Sequence, residues 1–262
     1  MKKVLDFLGK ATLISILLAG NMVFAGDLTR EQVIEKLKQA KPGKKVDLRR
    51  KDLTGVDLSG LDFRQADLWG ADLRRANLSH SNLSGLNLDL TVMVGANLEQ
   101  ADLSGVSIFA VSMMRCNLRG VDFSGSRVIA NLDNSDLTGA NLRNVRWAAD
   151  MKNQPMGLMR VSLKKVKLVN ADLTNAQMGR AMLMFADLSG ANLHNATINA
   201  ADLRSANLSN ANLTKADFTD SKLNDAILSG ADLNGAVFTR IKGKNDLRGL
   251  DSAKNVDKAL FD

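Results

Sequence analysis

Residues 46–85 read VDLRR KDLTG VDLSG LDFRQ ADLWG ADLRR ANLSH SNLSG, with an apolar residue third in every five. The same cut fits residues 171–220: ADLTN AQMGR AMLMF ADLSG ANLHN ATINA ADLRS ANLSN ANLTK ADFTD. Third residues recur every five from Leu48 to Val128, at Leu137, Leu142 and Trp147, and every five from Leu158 to Phe238. All 37 of these are apolar, so no unit breaks the pattern. First residues are mostly Ala and second residues mostly Asp or Asn. A period of five matches neither the 3.6 of an amphipathic helix nor the 2 of a strand. It matches a coil in which five residues make one side and four sides make a turn of about 20 residues. Third residues then point inward, small first residues fill the corners beside them, and coils stack at the sheet spacing of ~4.8 Å. Polar second, fourth and fifth residues face solvent or turn the corner. Each fully buried third residue contributes about 1.5–3 kcal/mol, which makes this ladder the largest stabilising term.

The units ADLSG, ANLSN, ADLRS and SNLSG resemble the A(D/N)LXX signature of the pentapeptide-repeat family, over about residues 46–240. The resemblance implies an all-β solenoid, a right-handed quadrilateral β-helix, and a binding scaffold in place of an enzyme.

Outward from the repeat, both ends carry amphipathic stretches suited to capping a solenoid, whose open edges otherwise invite aggregation. Within residues 26–45, LTREQVIEKLKQA places Leu28, Val33, Leu37 and Ala40 at helical spacing, Thr29 and Gln32 form a capping box, and Pro42-Gly43 stops the helix. Within residues 241–262, DSAKNVDKALF reads as a short helix with Asp251 as N-cap. The repeat itself is irregular over about residues 129–157. Val128 to Leu137 is one residue short, Trp147 to Leu158 is one long, and residues 148–157 form a loop or a bend.

Residues 1–25 read as a signal peptide: Lys2, Lys3 and Lys10, an apolar run over residues 12–20 too short to span a bilayer, and Val23-Phe24-Ala25 before Gly26. Export to the periplasm follows, or to the thylakoid lumen in a cyanobacterium. Removing this segment takes three Lys and one Asp from a net charge of +7, leaving a basic chain of +5 with no transmembrane span.

Little in the sequence suggests catalysis. His80 and His194 lie far apart, outside any ligand-spaced motif. Cys116, the only cysteine, takes a first position and reads as a buried substitute for Ala. Repeated Asp residues are a by-product of the repeat. No catalytic residue, cofactor site or metal site is assigned. The departures from the repeat are more informative. Residues 20 apart stack on one side, which places Trp69, Phe109 and Ile129 in one outward column, with Leu90 beside it and Val94 and Met114 on the next side. All are expected to be exposed, as a patch that binds a protein partner in the export compartment. Met182 and Met184, with Lys164, Lys165 and Lys167, form a second, Met-rich and basic surface. A second reading gives the thioethers to Cu(I). A third, implied by the family, is DNA mimicry and gyrase binding; the basic charge and the export signal both oppose it, and no nucleic-acid partner is expected. Homodimer formation through a face or an end is a further option.

Overall fold

The computed structural model describes residues 27–149 and 159–262. Within them the chain winds into coils held together by parallel bridges, most of them between residues 20 apart. Four ladders run along the stack. Face one passes through Asp47 and Asp67 in β1 (Val46–Asp47) and β2 (Ala66–Asp67), then Asn87, Ser107 and Arg127. Face two starts Asp52, Asp72, Val92, Ser112; face three Asp57, Asn77, Asn97, Asn117; face four Asp62, Asn82, Asp102, Asp122. Named strands are few because each side turns after its third residue.

The five positions have separate tasks. First and third residues are buried, as in Ala71 and Leu73, while Asp72 and Arg74 between and after them stay accessible. The second residue, Asp or Asn, accepts from the backbone N–H of the fourth: Asp52 from Thr54 and Asp102 from Ser104, both at 2.9 Å. This Asx-turn is the local reason for Asp or Asn there. The fifth residue takes the left-handed conformation, as at Gly55, Arg75 and Leu90. A Ser or Thr in the first position can spend its hydroxyl on a backbone carbonyl: Ser81 donates to Leu78 O at 2.6 Å and Thr91 to Leu88 O at 2.7 Å, whereas Ser135 and Ser221 donate to the coil before, to Met113 O and Ile198 O, both at 2.8 Å. The one large ring at an irregular coil, Trp147, meets Phe123 edge-on at 5.3 Å and donates its indole N–H to Ser126 at 3.0 Å. That bond spares a buried donor.

At the N-terminal end, α1 (Arg30–Lys38) carries the expected capping box between Thr29 and Gln32. It buries Val33 on the first coil, with Leu28 and Leu37 packed beside it. The first coil lacks a coil before it, and α1's leading residues satisfy the backbone groups this exposes. Asp27 donates its N–H to Asp52 O and accepts from Asp52 N; Arg30 donates to Asp57 O and Ser59 O, both at 2.9 Å.

The C-terminal end differs from expectation. Residues 251–261 do not form a helix. The last coil instead has sides of six residues, each with a 3-10 turn: Lys244–Asp246, Leu250–Ser252 and Val256–Lys258. Left-handed residues Gly243, Gly249 and Asn255 introduce these turns. Lys242, Arg248 and Lys254 continue faces two, three and four, and β6 (Leu260–Phe261) pairs with β5 (Val237–Phe238) on face one. The last coil therefore continues the stack, with Phe261 stacked on Phe238 at 4.8 Å.

The central irregularity also resolves differently. In the coil that ends on β4 (Arg127–Asn131), the corner residue after Ile129 is missing: Val111 of β3 (Ser107–Ser112) pairs with Ala130, and Ala110 has no counterpart. Leu132, outside the five-residue count, is thus an inward residue and fully buried. The next step, Asn131 to Ser162, is 31 residues on every face, as in Asp136–Lys167 and Asn141–Asp172. Both the deletion and the extra residues fall at the corner from face one to face two. The ladders keep their partners across it, so all four faces continue on the far side. Leu158 and the centre of the expected loop lie outside the described residues.

Candidate functional site

The residues expected to form an exposed patch lie around that same corner, but of the six only Leu90 is exposed. Trp69 and Phe109 stand on face one, Val94 and Met114 on face two, and all four are half-buried; Leu90 occupies the corner between them and is 47 % exposed. Leu90 donates its backbone N–H to Phe109 O, which ties neighbouring coils together within the patch. Ile129 does not belong to the exposed surface: it is only 4 % exposed. Deleting the corner residue draws Ile129 and Ala130 in against the chain returning at Met159, and together they line a groove of about 360 Å³. Val111, Asn131, Lys164 and Met182 complete its walls.

Polar groups around the patch are unevenly satisfied. Arg50 lies over the Trp69 ring at 4.9 Å, which accounts for the ring's partial burial. Asp89, on face one between Trp69 and Phe109, has one carboxylate oxygen, Oδ1, buried without a hydrogen-bond partner among the described residues. Further on, Asp133 accepts at one oxygen from both Ser162 Oγ and the Lys164 N–H, doing for face two what a second-position Asp does elsewhere.

The second surface is only partly as expected. Met182 and Met184 are half-buried on face two, and Arg204 donates to Met184 Sδ at 3.4 Å. A guanidinium in that place opposes a bound Cu(I). Lys165 is an exposed corner residue, and Lys167 sits on face three, 3.9 Å from Asp136. Phe185 was overlooked by sequence reasoning. It ends the unit AMLMF at a corner of face two, is 54 % exposed and has φ +59°. The signal was present, since fifth residues are otherwise mostly Gly, Asn or other polar types.

The two histidines stay apart in the fold. His80 is an exposed corner residue, and His194 Nδ1 lies 2.6 Å from Thr214 Oγ1. Cys116 is buried, with its sulfur 2.9 Å from Met93 O, and burial pushes its thiol up to about 12. The arrangement offers a wall on which apolar side chains are partly exposed.

Residues 44–70, 71–108, 158–199 and 201–240 match the family described as pentapeptide repeats, in eight copies. The matched segments make up more than half of the chain.

The chain belongs to the pentapeptide-repeat family.

Family members are typically non-enzymatic repeat scaffolds folded as a right-handed β-helix, and the four ladders are this chain's form of that solenoid. No curated protein matches it in sequence. Among solved structures, QnrB1, a plasmid-mediated fluoroquinolone resistance protein, matches with a TM-score of 0.55 at 20 % identity, covering 71 % of this chain and 92 % of its own. HetL, a pentapeptide-repeat protein involved in heterocyst differentiation regulation in Nostoc sp. strain PCC 7120, is 27 % identical over 89 % of this chain and 99 % of its own, with a TM-score of 0.44. Rfr23 from Cyanothece 51142 is 25 % identical over 50 % of this chain and 91 % of its own, with a TM-score of 0.41. The likeness to QnrB1 is one of fold. Within the pentapeptide-repeat frame, this chain is set apart by what departs from the repeat.

Proposed function

We propose that this protein is an exported, non-enzymatic scaffold. In this reading its four-sided solenoid, closed by α1 at one end and the six-residue coil at the other, presents one corner to a protein partner. One observation carries the reading: the departures converge. The exposed apolar residues Leu90 and Phe185, the half-buried Trp69, Phe109 and Met114, the deletion and the insertion all fall on faces one and two. Faces three and four are mostly polar, apart from the half-buried Val169 and Ile227 on face three; Asn77 donates to Asp57, Asn97 to Asn77 and Asn117 to Asn97 along face three, and Asn212 to Asn192 on face four. Such ladders consume their own hydrogen-bonding capacity, whereas the corner leaves apolar area uncovered. The QnrB1 likeness gives no reason to transfer a drug-resistance role, and the positive net charge of +7 is the wrong sign for a mimic of duplex DNA.

Two measurements test the proposal. N-terminal sequencing of the chain from its own cells is expected to find Gly26 first, in the fraction outside the cytoplasm; a cytoplasmic chain starting at Met1 contradicts export. Affinity capture after crosslinking in that compartment is expected to recover a partner with the native chain and lose it with Trp69→Ser/Phe109→Ser. Recovery of the same partner by both would place the contact elsewhere.

A further inference from the structure

The positive charge of this chain is not spread along the rod. Residues 36–51 hold eight Lys and Arg against Asp47 alone, a surplus of seven, equal to the net +7 of all 262 residues. Residues 52–262 hold 23 cations and 23 carboxylates and are neutral overall. Folding gathers the surplus at one end: the last turn of α1, the Pro42-Gly43 turn closed by the Lys41–Lys44 bridge, and the start of face one. Lys36, Lys41, Lys44 and Lys45 line one groove of about 240 Å³ that no carboxylate enters. None of these four is in an ion pair among the described residues, unlike Arg49, held by Asp47 at 3.0 Å, or Lys51, 3.9 Å from Asp27. Lys45 also lines a second groove, of about 510 Å³, with Arg49, Arg50, Trp69, Asn87 and one carboxylate, Asp67, which lies 3.8 Å from Arg49.

We propose that this N-terminal end docks on a membrane surface carrying anionic phospholipid headgroups. Three features favour a lipid surface over an acidic polypeptide or a nucleic acid. The lysines share one groove at the end of the solenoid, where a single surface meets them together. Trp69 beside them is half-buried, an amphipathic ring of the kind that settles at the headgroup level. If residues 1–25 act as the signal peptide of the export reading, on which this point rests, export itself brings this end to a membrane, since Lys36 follows the apolar run at residues 12–20 by sixteen residues. Lysines near an anionic surface each raise partitioning about fivefold at low salt, fading within a Debye length.

The test is flotation of the full chain with vesicles of phosphatidylcholine alone or with 30 % phosphatidylglycerol, a fraction on the order of natural anionic content. Three chains are compared: native, Lys41→Gln/Lys44→Gln/Lys45→Gln, and Lys242→Gln/Lys254→Gln/Lys258→Gln, which loses the same charge at the far end. Residues 1–25, with Lys2, Lys3 and Lys10, are common to all three, so their own pull on anionic lipid is the same in each and cancels when the ratios of the three chains are compared. The native ratio is expected to be high and to collapse in 0.5 M salt. It should fall about a hundredfold in the first variant and hold in the second. A native ratio near one, or an equal fall in both variants, overturns the proposal. So does binding to polyglutamate or an oligonucleotide in preference to the anionic vesicles. All six lysines but none of the core is altered, and unchanged circular dichroism separates lost docking from lost folding.

Discussion

At the corner between faces one and two, Leu90 holds a backbone conformation, φ +61°, that an apolar residue adopts at a cost of about 1–2 kcal/mol. Asn tolerates that conformation and is found there in Asn170, Asn195 and Asn210. Leu90→Asn is therefore expected to raise unfolding stability by up to about 1 kcal/mol while weakening partner capture. A chemical-denaturation midpoint that falls would show that Leu90 is there for stability. A buried residue behaves oppositely. Cys116 sits among apolar neighbours that hold its thiol neutral up to about 12, against 9.0 for a free thiol. Its folded form keeps a proton that the unfolded chain releases, so its stabilising contribution is full below about 9 and is lost as pH rises toward 12. At pH 8 a thiol reagent should label nothing in the folded chain and one group per chain in denaturant; labelling of the native protein would contradict the burial. Inward positions of this kind were legible from the period alone, because burial follows the five-residue count. Exposure was not: Ile129 occupies an outward position and is buried, for a deletion one residue away re-aims it.

Among the elements, the two ends solve one problem in different ways. Asp27 and Arg30 supply side-chain and backbone partners to the first coil's open edge, and their positions were within reach of a capping-box reading. The last coil reads in sixes, IKGKND LRGLDS AKNVDK, and a search for fives passes over it. Its signal was the spacing of Gly243, Gly249 and Asn255, all left-handed. At Gly243, with φ +87°, an added Cβ would strike the backbone of Asn224 in the coil before. Gly243→Ala should then cost more than the ~1–2 kcal/mol of the left-handed conformation alone, and hydrogen exchange should quicken over residues 241–262 first. Uniform quickening along the chain would mean that the last coil is not a separate cap.

For the whole molecule, regularity fixes the shape and irregularity carries the specificity. The solenoid and its family were readable in the sequence, as was the placing of Trp69, Leu90, Val94, Phe109 and Met114 around one corner by the 20-residue step; the half-burial of all but Leu90 was not. What the period could not supply was the convergence. A missing residue near Ile129 and an 11-residue surplus before Ser162 look like separate errors along the chain, and only the ladders place both at one corner. In the proposed function this corner, and not faces three and four, meets the partner. Site-specific photo-crosslinking tests it most directly, with the reactive side chain placed at Leu90 or, on face four, at the exposed Asn234. The account predicts one discrete adduct to another protein from Leu90, lost in the Trp69→Ser/Phe109→Ser background, and none from Asn234. Equal adducts from both positions, or an adduct from Asn234 alone, would contradict it.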